Sequence, residues 1–179
     1  MAFLGFALAV GAAPAHAEQG WFGDWLDSAK QETRTLWNQG QEDLYVPLHT
    51  HHMRFAYDAD KIKGYNENPW GIGYGRGIQD ADSRWHGLYT MAFLDSYNKV
   101  EPIAGYGSLW QFAQLGDLHL QGGYTVFVTA RQDILHYMPL PGILPLAGVN
   151  YKKLSLMTTY IPGGRNNGNM LFIFSKYRF

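Results

Sequence analysis

No cysteine occurs anywhere in the 179 residues. That excludes a disulfide scaffold, a thiol nucleophile and a zinc–thiolate centre. Charge is scarce as well: Asp, Glu, Lys and Arg make up 16%, where a soluble domain carries roughly a quarter. The net charge of −1 gives no electrostatic reason to expect nucleic acid. Beyond the opening residues, no apolar run is long enough to cross a bilayer as a helix. The glycine run Gly71-Ile-Gly-Tyr-Gly-Arg-Gly77 lacks the Gly-Lys-Ser/Thr ending of a phosphate loop. It reads as a flexible strand or loop at the mouth of a barrel, and no cofactor is expected.

What is present is aromatic: Phe, Trp and Tyr also reach 16%. The chain closes on Leu171-Phe-Ile-Phe-Ser-Lys-Tyr-Arg-Phe179. Successive strand residues point to opposite faces. Leu171, Ile173, Tyr177 and Phe179 therefore share one face with Ser175, and Phe172, Phe174, Lys176 and Arg178 share the other. The first face suits lipid and the second a lumen. Leu118 to Arg131 repeats the pattern, with Leu118, Leu120, Tyr124, Val126 and Val128 outward. His119, Gln121, Gly123, Thr125, Phe127, Thr129 and Arg131 then point inward. Apolar-out, polar-or-small-in is the signature of a transmembrane barrel. Leu154–Tyr160 follows it too, and Trp85, Tyr89, Met91 and Phe93 are expected outward.

Three regions are expected. Residues 1–17 read as a secretory signal peptide, with an apolar stretch from Phe3 to Ala13 and the cleavage pattern Ala15-His16-Ala17. The usual positive start is missing, and a buried helix or anchor is the alternative. Residues 18–40 hold an amphipathic helix over 20–38, where Trp21, Phe22, Trp25, Leu26, Ala29, Leu36 and Trp37 recur at helical spacing. Its tryptophans suit a membrane interface, where it would clamp the barrel at the inner leaflet, or else a soluble core. Residues 41–179 carry eight strand candidates, near 44–57, 71–78, 84–95, 100–110, 117–131, 142–151, 153–162 and 169–179. The fold class is therefore all-β: an eight-stranded antiparallel transmembrane β-barrel preceded by an N-terminal amphipathic α-helix. Closure is required because lipid cannot satisfy an open sheet edge.

The inward face is expected to hold Gly105, Gly107 and Gly123 with Leu88, Leu94, Met157, Phe172 and Phe174. That face has too little charge for a water-filled pore. It forms either a slender apolar cavity or a close-packed plug. Pro47, Pro145 and Pro162 lie in or at the ends of strands, and Pro69 just before one. Proline donates no ladder hydrogen bond. These four mark either two seams through which an acyl chain passes sideways, or harmless strand ends near water.

Several blocks, in order, resemble the lipid A palmitoyltransferase (PagP) family of Gram-negative outer membranes. They include Asp43-Leu-Tyr-Val-Pro47, His52–Asp58, Tyr65-Asn-Glu-Asn-Pro-Trp-Gly71, Trp85-His-Gly-Leu-Tyr89, Asp95-Ser-Tyr-Asn-Lys99, Glu101–Gly107, and Tyr160–Gly163 with Asn166–Asn169. The resemblance implies an acyltransferase that moves a palmitoyl chain from a phospholipid donor to lipid A. It further implies the outer-membrane bilayer of a Gram-negative bacterium; a closed barrel needs no partner, so a monomer is expected. The family's essential histidine falls on His52 and its Asp-Ser pair on Asp95 and Ser96. Its acyl-length gauge falls on Gly107, and its lateral gates fall on the seams marked by Pro47 and Pro69 and by Pro145 and Pro162. The sequence departs from the family pattern at His51, Tyr97, Val100 and Ser108–Gly116.

His52 suits a general base near neutral pH. Ser96 would be either an acyl-enzyme nucleophile or a substrate-binding hydroxyl, and Asp95 would orient or charge the site. Adjacent Asp95 and Ser96 serve one site only from a loop or bulge. His49 and His51 share a strand face, but no third metal ligand stands at a recognisable spacing. Two rival readings remain: a non-enzymatic outer-membrane barrel (adhesin, stress or structural), and a soluble lipocalin-like carrier, which needs a polar exterior.

Overall fold

The structure, a computed structural model, describes residues 16–179. Most of the expected signal peptide lies outside the described residues; its last two, His16 and Ala17, open helix α1 (His16–Gln39). Trp21 and Trp25 on α1 are exposed. Two compact units divide at Arg34 and Thr35, and all eight strands belong to the second.

The strands are β1 (Gln41–His52), β2 (Gly71–Gln79), β3 (Arg84–Leu94), β4 (Val100–Leu115), β5 (Leu118–Thr129), β6 (Leu140–Tyr151), β7 (Leu154–Ile161) and β8 (Met170–Arg178). A short helix α2 (Ala59–Lys63) sits between β1 and β2. Each strand pairs antiparallel with its neighbour, and β1 pairs with β8 to close the barrel. Tight turns join the strands at the end that holds both barrel termini. The β4–β5 turn places Gly116 at φ +60, where the missing Cβ removes the usual penalty. The connections at the opposite end, after β1, β3, β5 and β7, build the candidate site.

Alternation governs both faces. Ile72, Val126, Val128, Ile143, Leu154, Leu156 and Tyr177 are exposed. Such an exterior suits hydrocarbon and not water, as a lipid-embedded barrel requires and a lipocalin-like carrier does not. The core lies within the barrel: Tyr45, Trp85, Met91, Phe93, Leu109, Leu146, Met157, Phe172 and Phe174.

The β3 parity is opposite to the sequence reading. Trp85, Tyr89, Met91 and Phe93 face the lumen, while Leu88 and Leu94 lie on the other face. The glycines of β2 explain the reversal. A Cβ on Gly77 would stand 2.5 Å from the Trp85 indole nitrogen, and one on Gly75 2.8 Å from the Tyr45 ring. Their absence leaves lumenal room that these large rings fill. The run Gly71–Gly77 is accordingly regular strand and not a flexible loop. The first strand ends at His52, short of the expected residue 57, and the fourth runs on to Leu115.

Two ladders stop short. Pairing of β1 with β2 ends at Tyr45↔Gly73, although β1 continues against β8 to His52↔Met170, with a bulge between Pro47 and His49. Pairing of β6 with β7 covers only Leu146–Tyr151, although β6 pairs with β5 from Leu140. Pro47 and Pro145 stand at these two breaks. The Pro145 carbonyl is satisfied by the Thr159 hydroxyl at 2.8 Å. Pro69 lies in the loop before β2, and Pro162 directly follows β7.

Candidate active site

Above these breaks the lumen is hollow. A cavity of about 510 Å³ runs from Asp95 and Ser96 past Phe93, Phe172 and Phe174 to Trp85, Leu146 and Met157. Its walls are mostly apolar side chains, and its volume lies within the usual range for small-molecule sites. Gly107 stands behind the Trp85 ring: a Cβ there would come 3.1 Å from Trp85 and 3.4 Å from Leu146.

His52, the last residue of β1, is fully buried behind the cavity mouth. Its Nε2 lies 3.1 Å from the Ser96 hydroxyl, and its Nδ1 lies 3.0 Å from Oε1 of Glu67. The partners assign the tautomer: Nδ1–H donates to the carboxylate, which leaves Nε2 to accept from Ser96. Tyr65 stacks on the imidazole at 4.7 Å, and Tyr57 meets it edge-on at 5.1 Å. The ring is thus held on one face by Tyr65, at its edge by Tyr57, and at both nitrogens.

Glu67 supplies what the sequence reading lacked, a carboxylate touching the histidine. It sits in the β1–β2 loop, which its own carbonyl ties to the Thr50 amide at 2.9 Å. The Asn66 amide donates to the Ser96 carbonyl at 2.9 Å, so one loop gauges both partners. Arg54 grips Glu67 with Nη1 at 2.9 Å and Nη2 at 2.7 Å. Burial pushes the Glu67 carboxyl up, but hydrogen bonds from Arg54 and from the His52 ring and amide outweigh it and hold the group at about 2. Asn66-Glu-Asn-Pro69 reads locally as a turn, and only the fold brings its carboxylate fifteen positions back to His52.

Asp95 and Ser96 leave β3 into the β3–β4 turn, so adjacent residues can serve one region. Oδ1 of Asp95 accepts the Tyr97 and Lys99 amides, both at 2.8 Å. Oδ2 lies 3.9 Å from Arg131, which also pairs with Glu101 at 3.4 Å and Asp133 at 3.0 Å. Asp95 therefore builds the turn that presents Ser96 and faces a cation at the rim; His52 takes its carboxylate contact from Glu67. His49 and His51 lie on one face with ring centroids 6.1 Å apart. Among the described residues no group of three or more potential ligands surrounds them.

A hydroxyl, an imidazole and a carboxylate in sequence, at the mouth of an acyl-sized apolar cavity, form the constellation of nucleophilic acyl transfer. Comparisons with known proteins agree with that chemistry. The family model "Antimicrobial peptide resistance and lipid A acylation protein PagP" matches residues 32–176. The lipid A acyltransferase PagP of Methylobacillus flagellatus is 48% identical over 155 residues, covering 87% of this chain and 84% of that protein. The lipid A acyltransferase PagP of Bordetella bronchiseptica is 47% identical over 177 residues, 98% of this chain and 96% of that one. The lipid A palmitoyltransferase PagP of Escherichia coli is 47% identical over 159 residues, 87% and 85% of the two chains.

Proposed function

The chain belongs to the PagP family of lipid A acylation proteins, and from that premise we propose that it is an outer-membrane acyltransferase that moves a palmitoyl chain from a phospholipid to lipid A. The observation that carries the reading is the Ser96–His52–Glu67 array at the mouth of the apolar cavity. A barrel with a merely structural role has no use for a fully buried histidine held at both nitrogens. The relatives' names favour transfer over that alternative as well.

The donor's acyl chain lies in the cavity, with its ester carbonyl at Ser96. The hydrogen bond from Ser96 to His52 favours a covalent route. The Ser96 oxygen bonds to the acyl carbon while its proton passes to Nε2 of His52. The donor's carbon–oxygen bond breaks, and the departing lysophospholipid takes that proton. A lipid A hydroxyl then attacks acyl-Ser96, gives its proton to His52, and Ser96 recovers it as the second ester forms. Glu67 holds the imidazole in the required tautomer and stabilises the imidazolium of each step. Asp95 orders the turn that carries Ser96. Lipids enter through the unpaired β1–β2 and β6–β7 seams, marked by Pro47 and Pro69 and by Pro145 and Pro162. Gly107 sets the depth available to the acyl chain. The working unit is a monomer, exported by a signal peptide over 1–17, with an interfacial helix over 18–40 and the barrel over 41–179.

The test is product mass. Purified protein in detergent, offered phospholipid and lipid A, should yield lipid A heavier by one palmitoyl group. Ser96→Ala should cut the rate by about 10² or more while the barrel stays folded. A folded Ser96→Ala or His52→Ala protein with full activity would defeat the assignment.

A further inference from the structure

The lumen holds a second cavity, of about 280 Å³, at the end away from His52. Trp85 lines both cavities and separates them. The upper cavity is mostly apolar. The lower is lined by Lys176, Arg178, Gln111, Gln121, Asn150 and Lys152, together with other polar groups. Nothing in the transfer chemistry uses it.

Its charge is unbalanced. Lys176 is 4% exposed and lies 3.5 Å from Asp43, which is fully buried. The same carboxylate takes the Nε–H of Arg178 at 3.1 Å. Two largely buried cations thus share one anion. Nη2 of Arg178 is buried and has no hydrogen-bond partner. The Lys176 ammonium rests over the Trp85 ring, 4.7 Å from its centroid, which offers a weak electrostatic partner and no acceptor lone pair. Lys152, at the mouth, adds a third cation, paired at 3.6 Å with an exposed Asp117. A largely buried cation surplus with an orphaned guanidinium nitrogen is costly unless an anion completes it.

We propose that this lower cavity binds a phosphate-class oxyanion, either free phosphate or the phosphate of a lipid headgroup. Lys176 and Arg178 supply charge, the guanidinium offering the donor geometry that suits phosphate oxygens. The amides of Gln121 and Asn150 supply further donors. The site is separate from the acyl cavity and takes no part in the transfer step.

The test uses the folded full barrel in dodecyl maltoside, a detergent without phosphate, and follows heat of binding. One arm titrates inorganic phosphate, the other glycerophosphoethanolamine, a headgroup without acyl chains. Saturable one-to-one binding is expected in at least one arm. Inorganic phosphate binding as well as the headgroup assigns a free anion; the headgroup alone assigns a lipid. Lys176→Met leaves Asp43 its Arg178 partner and should weaken binding about tenfold or more, the scale of one lost charge-assisted hydrogen bond. Asn150→Leu reads the same site without disturbing the ion pair, should Lys176→Met not fold, and should also weaken binding. No saturable binding of either probe overturns the proposal, as does binding that a folded Lys176→Met or Asn150→Leu protein retains unchanged.

Discussion

Nδ1 of His52 stands 3.0 Å from Oε1 of Glu67, and the same oxygen accepts the His52 backbone amide at 3.2 Å. One carboxylate oxygen therefore fixes both the ring and the backbone of the histidine, and turns Nε2 toward Ser96. Glu67→Gln keeps the size of the side chain and removes its charge. Transfer should fall by about ten- to a hundredfold, because the imidazolium formed in each step loses its counter-charge. The acid limb of the rate should also move to lower pH, since a neutral amide favours imidazolium less than a carboxylate does. Rates measured from about pH 5 to pH 8 check both effects, and an unchanged profile would remove Glu67 from the mechanism.

Arg54 governs the acid stability of the loop that carries Glu67. The Glu67 carboxyl titrates at about 2 in the folded protein, below the ordinary carboxylate value of about 4.3. The contribution of its ionised form is therefore complete above the ordinary value and is lost as pH falls through the folded one. Arg54→Met removes the stronger partner and should move that loss up toward the ordinary carboxylate range. Protection of the Thr50 amide, bonded to the Glu67 carbonyl, reports it by hydrogen exchange. Equal protection at about pH 3 in both proteins would contradict the assignment.

In the proposed function Gly107 limits the acyl depth through Trp85, which lines the apolar cavity. A Cβ at Gly107 would already press the indole at 3.1 Å. Gly107→Met should push Trp85 or its own side chain into the acyl space and shift donor choice toward chains several carbons shorter. Each methylene denied burial forfeits about 0.8 kcal/mol. The mass of acyl groups on lipid A, from donors of mixed chain length, measures the shift. Unchanged preference would separate Gly107 from the gauge.

The unpaired β6–β7 seam can be closed by chemistry the chain lacks. There is no native cysteine. Extending the observed register two pairs past Leu146↔Thr159 sets Leu144 opposite Ile161. A Leu144→Cys, Ile161→Cys double variant, once crosslinked, should lose about tenfold or more of its activity, and reductant should restore it. Full activity in the crosslinked protein would exclude lipid passage at this seam.

Legibility in the sequence followed the placement of charge and glycine. Lys176 and Arg178 fixed the inward face of β8, and Gln121 and Thr125 that of β5, because a polar side chain in hydrocarbon is costly. On β3 polarity pointed the wrong way: Arg84, His86 and Thr90 share the outward face with Leu88 and Leu94, while the larger apolar Trp85, Tyr89, Met91 and Phe93 face inward. Parity there depended on the glycines of β2, whose consequence is visible only once Gly77 lies beside Trp85. Prolines marked both broken ladders, since a missing N–H is written in the residue itself. Glu67 had no such mark: its partnership with His52 exists only through the fold of a loop that reads as a plain turn. The Asp95-Ser96 pair was legible as a turn, but the division of labour between its two side chains was not.

The ladders between β1 and β2 and between β6 and β7 both give out beside the cavity, at Tyr45 and Leu146, while pairing toward the opposite end continues. Like a cask hooped at one end, the molecule keeps its strength at one rim and its give at the other. On the proposed route, staves that spread to admit an oily tail need not loosen the hoop that holds them together. Opening and unfolding become separate events, so warmth that speeds lipid entry need not bring the protein nearer collapse.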